Sequence, residues 1–293
     1  MSDLIIKTDL REKAMTVQFN CRCWTARKFD RKESKKLAER SGSQADAARV
    51  NKLLIPKSIV DGPVKVRQEA QHKVHDVLTS RWASKGVNIL KATAYEDYAT
   101  RMNKLEEDFW MAVDLFMSRY QRFYNLLHEK GPERMGTMYD PKDYPAPEEV
   151  KKKFSFHVHY SPLTTSNDWR VAGLAKEEVE DLAARVAERE RELLAGAMRQ
   201  TWQRLHKVVS KVVEKLGTAD AIFRDTLIGN VIDLCGILPD LNLEDDPEME
   251  KMRKAVESSL GRLDPAMLRE DPEHRKEAAE VAKDLAGKIS SYF

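Results

Sequence analysis

Hydrophobic positions along this chain recur mostly at steps of three and four. The longest such run lies between Lys176 and Leu216, where Val179, Leu182, Val186, Leu193, Ala197, Leu205, Val208, Val212 and Leu216 share one stripe. That spacing is one face of an α-helix. At about 1.5 Å per residue the helix is roughly 60 Å long, so another long helix or a second subunit must lie along it. The stripe is interrupted at Arg189 and Glu190. Its stronger half, Leu193 to Leu216, carries Trp202 and reads as core; its Ala-rich half, Val179 to Val186, reads as the side turned toward a partner. A second long run reaches about Glu129 from Thr93, a candidate N-cap with Glu96 at the capping-box position. Leu105, Phe109, Val113, Phe116, Tyr120, Tyr124 and Leu127 form its stripe. A face so wide and aromatic must be buried, and the Lys176–Leu216 helix is its expected partner.

Two short stretches alternate instead. Val17, Phe19, Cys21 and Cys23 fall on one side of Thr16 to Trp24, and Phe154, Phe156, Val158 and Tyr160 on one side of a second stretch that Pro162 ends. Period two is the mark of a strand. Two strands are marginal alone, so they are expected to pair with each other, or with an unseen third, against helices. Elsewhere the pattern predicts a short helix from Glu33 to Ala38, a helix from Pro63 to Ala83, and a loop over Lys130 to Pro147 with its Gly and Pro residues. Gly217 reads as a helix end and Thr218 as a new N-cap, starting a helix through Ile222, Phe223 and Leu227 that stops before Pro239. Asp246-Pro247, Asp264-Pro265 and Asp271-Pro272 each place a capping carboxylate before a residue suited to the first helical turn. They predict helices over Pro247–Leu260 and Pro272–Ser290, with a short turn from Pro265.

The expected fold is therefore mainly α and elongated, with long antiparallel helices and a small two- or three-stranded β element. Three segments follow: a basic N-terminal part (1–60), a long-helix core with an inserted strand (153–161) over 61–217, and a helical C-terminal part (218–293); the alternative is a single domain overall.

Composition sharpens this picture without changing it. With 42% hydrophobic and 33% charged residues in 293, the chain can bury a core without staples. It holds no apolar run of membrane-spanning length, so no membrane partner is expected. Three cysteines, split as Cys21, Cys23 and Cys235, do not suggest a disulfide framework and fit a reducing cytoplasm, that of a bacterial host. The net charge is only +2, but the first 100 residues carry 20 basic and 12 acidic side chains. Such asymmetry points to a polyanion partner or to contact between unlike ends of two subunits.

The strongest chemical hint lies in that basic part. Arg22, Trp24, Arg27, Lys28, Arg31, Lys32, Lys35 and Lys36 interleave cations with an aromatic ring, and Phe29 adds another. Single-stranded nucleic acid is held by such a mixture, cations on phosphates and rings on bases. Against it stands the plain reading, that Trp24 and Phe29 anchor a core and the charges keep the surface soluble. Cys21 and Cys23 with His157 and His159 form a nominal zinc set. If both strands turn their apolar residues inward, however, the thiols and imidazoles face opposite ways. His72 and His75 share a helical turn but show no third ligand. No P-loop, dinucleotide turn, His-Glu-x-x-His or Gly-x-Ser-x-Gly is present. The reading is a protein that is not an enzyme and needs no cofactor. Asp168-Trp169-Arg170 reads as a lock on the turn before the long helix.

Several stretches resemble a family of proteins of unknown function from bacteriophages and mobile elements. They are Cys21 to Lys28, the aromatic helix Tyr95 to Leu127, Phe154-Ser155-Phe156 with Pro162, and Asp168-Trp169-Arg170-Val171. Ile222 to Leu227, Leu238 to Leu243 and Asp246-Pro247 complete the set. None is a catalytic motif. The resemblance implies a phage-type setting near ring-forming AAA-type ATPases or DNA-metabolism genes, and transfers no functional residue. The expected role is a DNA-metabolism accessory that binds nucleic acid through the basic patch. The alternative is an oligomeric scaffold or adaptor docking onto a protein such as a ring ATPase. A homo-oligomer is expected in either case.

Overall fold

A computed structural model describes residues 10–83, 86–163, 175–218 and 221–293; the Asp168-Trp169-Arg170 turn lies outside them. Helix dominates, alongside a four-stranded sheet in the order β4-β5-β1-β6 and a two-stranded ribbon of β2 and β3. The chain divides into two compact units, one of Met1–Gln18, Asp76–Tyr98 and His159–Phe293, the other of Phe19–His75 and Ala99–Val158.

The first unit is built on the longest helix. After α1 (Leu10–Lys13), strand β1 (Ala14–Arg22) pairs antiparallel with β5 (Val87–Lys91), which pairs in turn with β4 (Ser80–Ala83). The remaining strand, β6 (Ser155–Pro162), lies beside β1, where the Thr16 hydroxyl donates to the Ser161 carbonyl. Strands were therefore expected at β1 and β6, and they do sit side by side, but β4 and β5 complete the sheet. The predicted helix to Ala83 stops at Leu78, because after Thr79 the chain enters β4.

Helix α8 (Lys176–Gly217) buries Ala197, Met198, Thr201, Trp202, Leu205, Val209, Val212 and Leu216, at helical spacing and all in its second half. Its main neighbour is α12 (Pro272–Ser290), which offers Ala278, Ala279 and Ala282 to the interface. Small side chains let the two backbones approach closely. Trp202 stacks on Tyr292, with centroids 4.2 Å apart and planes within 4°. Further cover comes from α9 (Thr226–Leu241) and from β4. The end of α8 at Gly217 leaves carbonyls without helical partners, and Arg275 of α12 answers them. Its guanidinium donates to the carbonyls of Leu216, Lys215, Thr218 and Ala221 at 3.1, 2.8, 2.5 and 3.0 Å. Arg204, desolvated and so lowered below its usual pKa, does the same for Val77 and Thr79 at 3.1 and 2.7 Å.

The Asp-Pro pairs behave as read. Asp246 caps α10 (Pro247–Ser259) through the Glu248 N–H, Asp264 accepts from the Ala266 N–H ahead of α11 (Met267–Glu270), and Asp271 caps α12 through the Glu273 and His274 N–H groups. Two expected caps fail. Thr93 sits in a short 3₁₀ turn and donates its hydroxyl to Asp240, so it does not cap the next helix. Thr218 precedes no helix directly: α9 begins at Thr226, Ile222 is 92% exposed, and the helix runs through Pro239 to Leu241.

On α10, hydrogen bonds from Arg253 draw the Glu250 carboxyl from 4.5 to about 2. A pKa depressed by folding stabilises the fold above the unfolded value and loses that contribution as pH falls through the folded value. Stability is therefore expected to decline as pH drops from about 4.5 toward about 2. Glu250→Gln should flatten this part of the profile, read as the urea midpoint against pH; an unchanged slope would refute the assignment.

The second unit is organised by α5 (Tyr95–Asn125), whose Met102, Phe109, Val113, Phe116 and Tyr120 are buried. Those rings meet Phe154 and Phe156 at centroid distances of 5.1 Å (Phe116–Phe154) and 5.5 Å (Phe109–Phe156), and Phe19 lies 4.9 Å from Phe156. The two long helices thus find their principal neighbours in separate units, α8 on α12 and α5 on this aromatic cluster.

Along the unit, α3 (Lys57–Glu69) continues through a π-helical turn, Ala70–His75, into α4 (Asp76–Leu78). The stretch expected as a loop after Glu129 is largely helical: α6 (Leu127–Met135), 3₁₀ turns at Gly136–Met138 and Pro141–Asp143, and α7 (Pro147–Lys151). Gly131 sits inside α6 because the Tyr139 ring covers it; a Cβ there would lie 2.1 Å from the ring. The residue signals a close approach and not a chain break.

Candidate nucleic-acid interface

The basic segment folds as a ribbon and a helix. Strand β2 (Arg27–Asp30) pairs antiparallel with β3 (Val50–Leu53), and α2 (Arg31–Ser41) follows β2 directly. Asp30 ends the strand and starts the helix, its carboxylate accepting from the Glu33 N–H at 3.0 Å. Ser34 stitches the helix to the ribbon, donating to the Asp30 carbonyl and accepting from the Val50 N–H. The helix closes on Gly42 at φ +62°, a left-handed position suited to glycine, whose N–H reaches the Ala38 and Glu39 carbonyls.

Alternation divides the ribbon into two faces. Lys28 and Asp30 of β2 share one with Val50 and Lys52; Arg27 and Phe29 share the other with Asn51 and Leu53. The Lys52 ammonium is buried, with its Nζ 3.2 Å from Asp30 and 2.5 Å from Asp143, and it donates to the Met138 carbonyl at 3.0 Å. Burial works against the Lys52 charge, but the hydrogen bonds to Asp143 and Asp30 outweigh it and hold its pKa above the ordinary value. The Asp30 carboxyl is held low, first by the Glu33 N–H, then by Lys52 against the cost of burial. One basic residue of the segment is thus structural.

The other face is open. Phe29 is 44% exposed, and the guanidinium of Arg49 lies over its ring at 5.3 Å from the centroid. Arg27 on this face, Lys28 on the Lys52 face, and Arg31 and Lys32 at the start of α2 are all exposed and, among the described residues, carry no ion pair. Arg22, at the end of β1, is exposed as well. Lys35 and Lys36 are exposed but answer Glu39 at 3.6 Å and Glu33 at 2.7 Å along the helix. Trp24 is placed differently: half-buried, it meets Phe116 and Tyr120 edge-on at 6.1 and 5.2 Å. The accessible ring is Phe29, and Arg49 is the cation the sequence pattern missed, because it lies 20 residues further on and arrives through strand pairing.

Cys21 and Cys23 are half-buried, and the hydrogen bond between them, together with burial, pushes the Cys21 thiol up. His157 and His159 are exposed on the β6 side away from buried Phe156. Among the described residues no group of three or more His, Cys, Asp or Glu is placed to hold a metal ion. Beside Cys21 the structure forms a cleft of about 310 Å³ that no motif or periodicity announces, lined by Phe19, Asn20, Arg67, Gln68, Gln71 and His72. Its walls come from β1, from the end of α3 and from the π-helical turn, and no carboxylate lines it. No helix among the described residues is long and apolar enough to cross a membrane.

These elements define a mainly helical protein with a small antiparallel sheet and a basic β-ribbon. The chain belongs to the DUF3150 family, described as proteins of unknown function, and the match covers residues 12–224. That span includes β1, the ribbon, α5 and α8 and ends before α9. Comparison with curated proteins and with solved structures gives no match.

Proposed function

We propose that the β2–α2–β3 surface binds nucleic acid and that the protein serves DNA metabolism as a non-enzymatic accessory, in the phage or mobile-element setting its resemblance implies. The observation that carries the reading is Phe29, an exposed ring beneath Arg49 and on the same ribbon face as Arg27, in a segment where Lys28, Arg31 and Lys32 are also exposed without acidic partners. A ring in that position offers a stacking platform, and the cations around it follow a phosphate backbone. The ribbon holds them on a rigid base, since Lys52, Asp30 and Asp143 lock its far face.

Fluorescence anisotropy with single- and double-stranded DNA at two salt concentrations tests this. Binding should weaken steeply with salt, with a slope of roughly −0.7 per phosphate neutralised on a single strand. Combined reversal of Arg27, Lys28, Arg31 and Lys32 to Glu should abolish it. Phe29→Ala should cost single-strand affinity by about 1–3 kcal/mol while leaving the fold intact, because the ring is exposed. Absence of binding at low salt would overturn the reading and leave the second one, an adaptor docking onto a protein such as a ring AAA-type ATPase. The exposed Met111 and Leu115, one turn apart on α5, favour that alternative.

A further inference from the structure

The first half of α8 carries an apolar stripe that is only partly buried, with Val179, Leu182, Val186 and Leu193 each left partly accessible. From Lys176 to Gly196 no residue is buried, yet Val179, Leu182, Val186 and Leu193 recur at steps of three, four and seven. They fall on a heptad seam with Val179, Val186 and Leu193 at a, and Leu182, Arg189 and Gly196 at d. At Gly196 the seam is open, since a Cβ there would have no neighbour within 4 Å. The helix turns a different face, that of Met198, Trp202 and Leu205, into its own core, which Leu193 meets only as a partly buried neighbour.

We propose that this half-helix pairs antiparallel with the same half-helix of a second copy of the chain, placing Leu182 against the second copy's Leu193. Charge selects both the partner and the register. The g positions beside the seam are Glu178, Arg185, Glu192 and Arg199, alternating in sign. In this register Glu178 faces Arg199 of the other copy and Arg185 faces its Glu192, and two-fold symmetry doubles each pair. A slip of one heptad in one direction sets Glu178 against Glu192 and Arg185 against Arg185. The opposite slip sets Arg185 against Arg199 and Glu192 against Glu192. Parallel pairing would stack Arg189 on itself within the seam, whereas the antiparallel register puts it beside Val186, from which a guanidinium reaches the rim. Arg199 is exposed and, among the described residues, has no acidic partner. Arg185 and Glu192 bond along their own helix to Asp181 and Arg189 at 2.9 Å, but both pairs are exposed and weak. The pairing is independent of the nucleic-acid reading.

Sedimentation velocity on the full chain, over about 1 to 200 μM at low salt to cover the usual range of short coiled coils, tests the proposal. A concentration-dependent dimer is expected. Arg185→Glu alone and Glu192→Arg alone should each weaken it by about tenfold or more, by turning two attractions into repulsions. The double variant R185E/E192R restores opposite charges across the interface and should recover the parent affinity. Leu182→Ala, at a half-exposed site that leaves the core untouched, should also weaken the dimer, with circular dichroism confirming the fold. A monomer at every concentration, an R185E variant that dimerises as the parent does, or a double variant that fails to recover would each overturn it.

Discussion

Replacement of Lys52 by Met is expected to lower stability by about 3–5 kcal/mol, the usual cost of removing one partner from a buried ion pair. The reason lies in what remains. Asp30 and Asp143 have side chains only 10% and 11% exposed, and the Lys52 side chain itself is 8% exposed. Without the ammonium, two carboxylates stay close together and out of water. They must take up a proton or open the ribbon to solvent. Met fills a similar volume, so lost packing would not account for the effect. Denaturant unfolding of K52M measures the loss, and a second change, Asp143→Asn, should recover part of it by removing one stranded charge. A loss below about 1 kcal/mol, the range of an exposed pair, would show that water reaches the site.

Phe116→Ala should be comparably severe, about 3–5 kcal/mol for a large aromatic side chain taken from a core. Phe116 is 1% exposed and touches Tyr120 in a near-parallel stack 5.9 Å away, Phe154 at 5.1 Å and Trp24 at 6.1 Å. The cavity would adjoin three rings from different parts of the chain, and none can fill it without leaving the others. Trp24 is the reporter of choice: its emission should shift to longer wavelength in F116A as water gains access to the indole. If F116A unfolds at the parent denaturant concentration with an unshifted spectrum, Trp24 is not anchored there, and a stacking role for that ring is reopened.

The sequence revealed those parts of the fold whose cause is local. Asp246 and Asp271 cap their helices and Asp264 holds the turn before α11, because an acceptor and a following proline act within a few residues. Strands β1 and β6 show because they turn apolar residues to one face. Strands β2 and β3 do not, since the residues they bury include Asp30 and Lys52, and no search for alternating hydrophobicity finds an ion pair. Strand β4 hides behind the apolar rhythm of Val74, Val77 and Leu78, which carries a helical reading straight into Ser80. Gly131 and Pro132 look like a loop until Tyr139 closes over the glycine.

Stripes on α5 and α8 were both legible, but a stripe declares only that something must cover it. The main cover for α8, helix α12, includes Ala278, Ala279 and Ala282 beside Leu285 and Ile289, and a sequence scan undervalues such alanines. The candidate site was half legible for a related reason. Its cations are contiguous from Arg27 to Lys36 and could be read in place. Which ring is available depended on the aromatic cluster, and Arg49 reaches Phe29 only through the pairing of β2 with β3.

The order in which the two units receive their residues bears on how the chain is made. The aromatic unit has all of its sequence once synthesis passes Val158, whereas α8 acquires its main neighbour only when α12 is complete at Ser290. At ribosomal speeds of about 5–20 residues per second that interval is roughly 7–26 s, far longer than a small domain needs to fold. One unit can mature during elongation. In the other, β1 waits for β5, and the carbonyls that end α8 stay solvated until Arg275 emerges. Nascent chains stalled before residue 272 should therefore leave Trp202 exposed, which makes this helix the stretch most dependent on protection during translation.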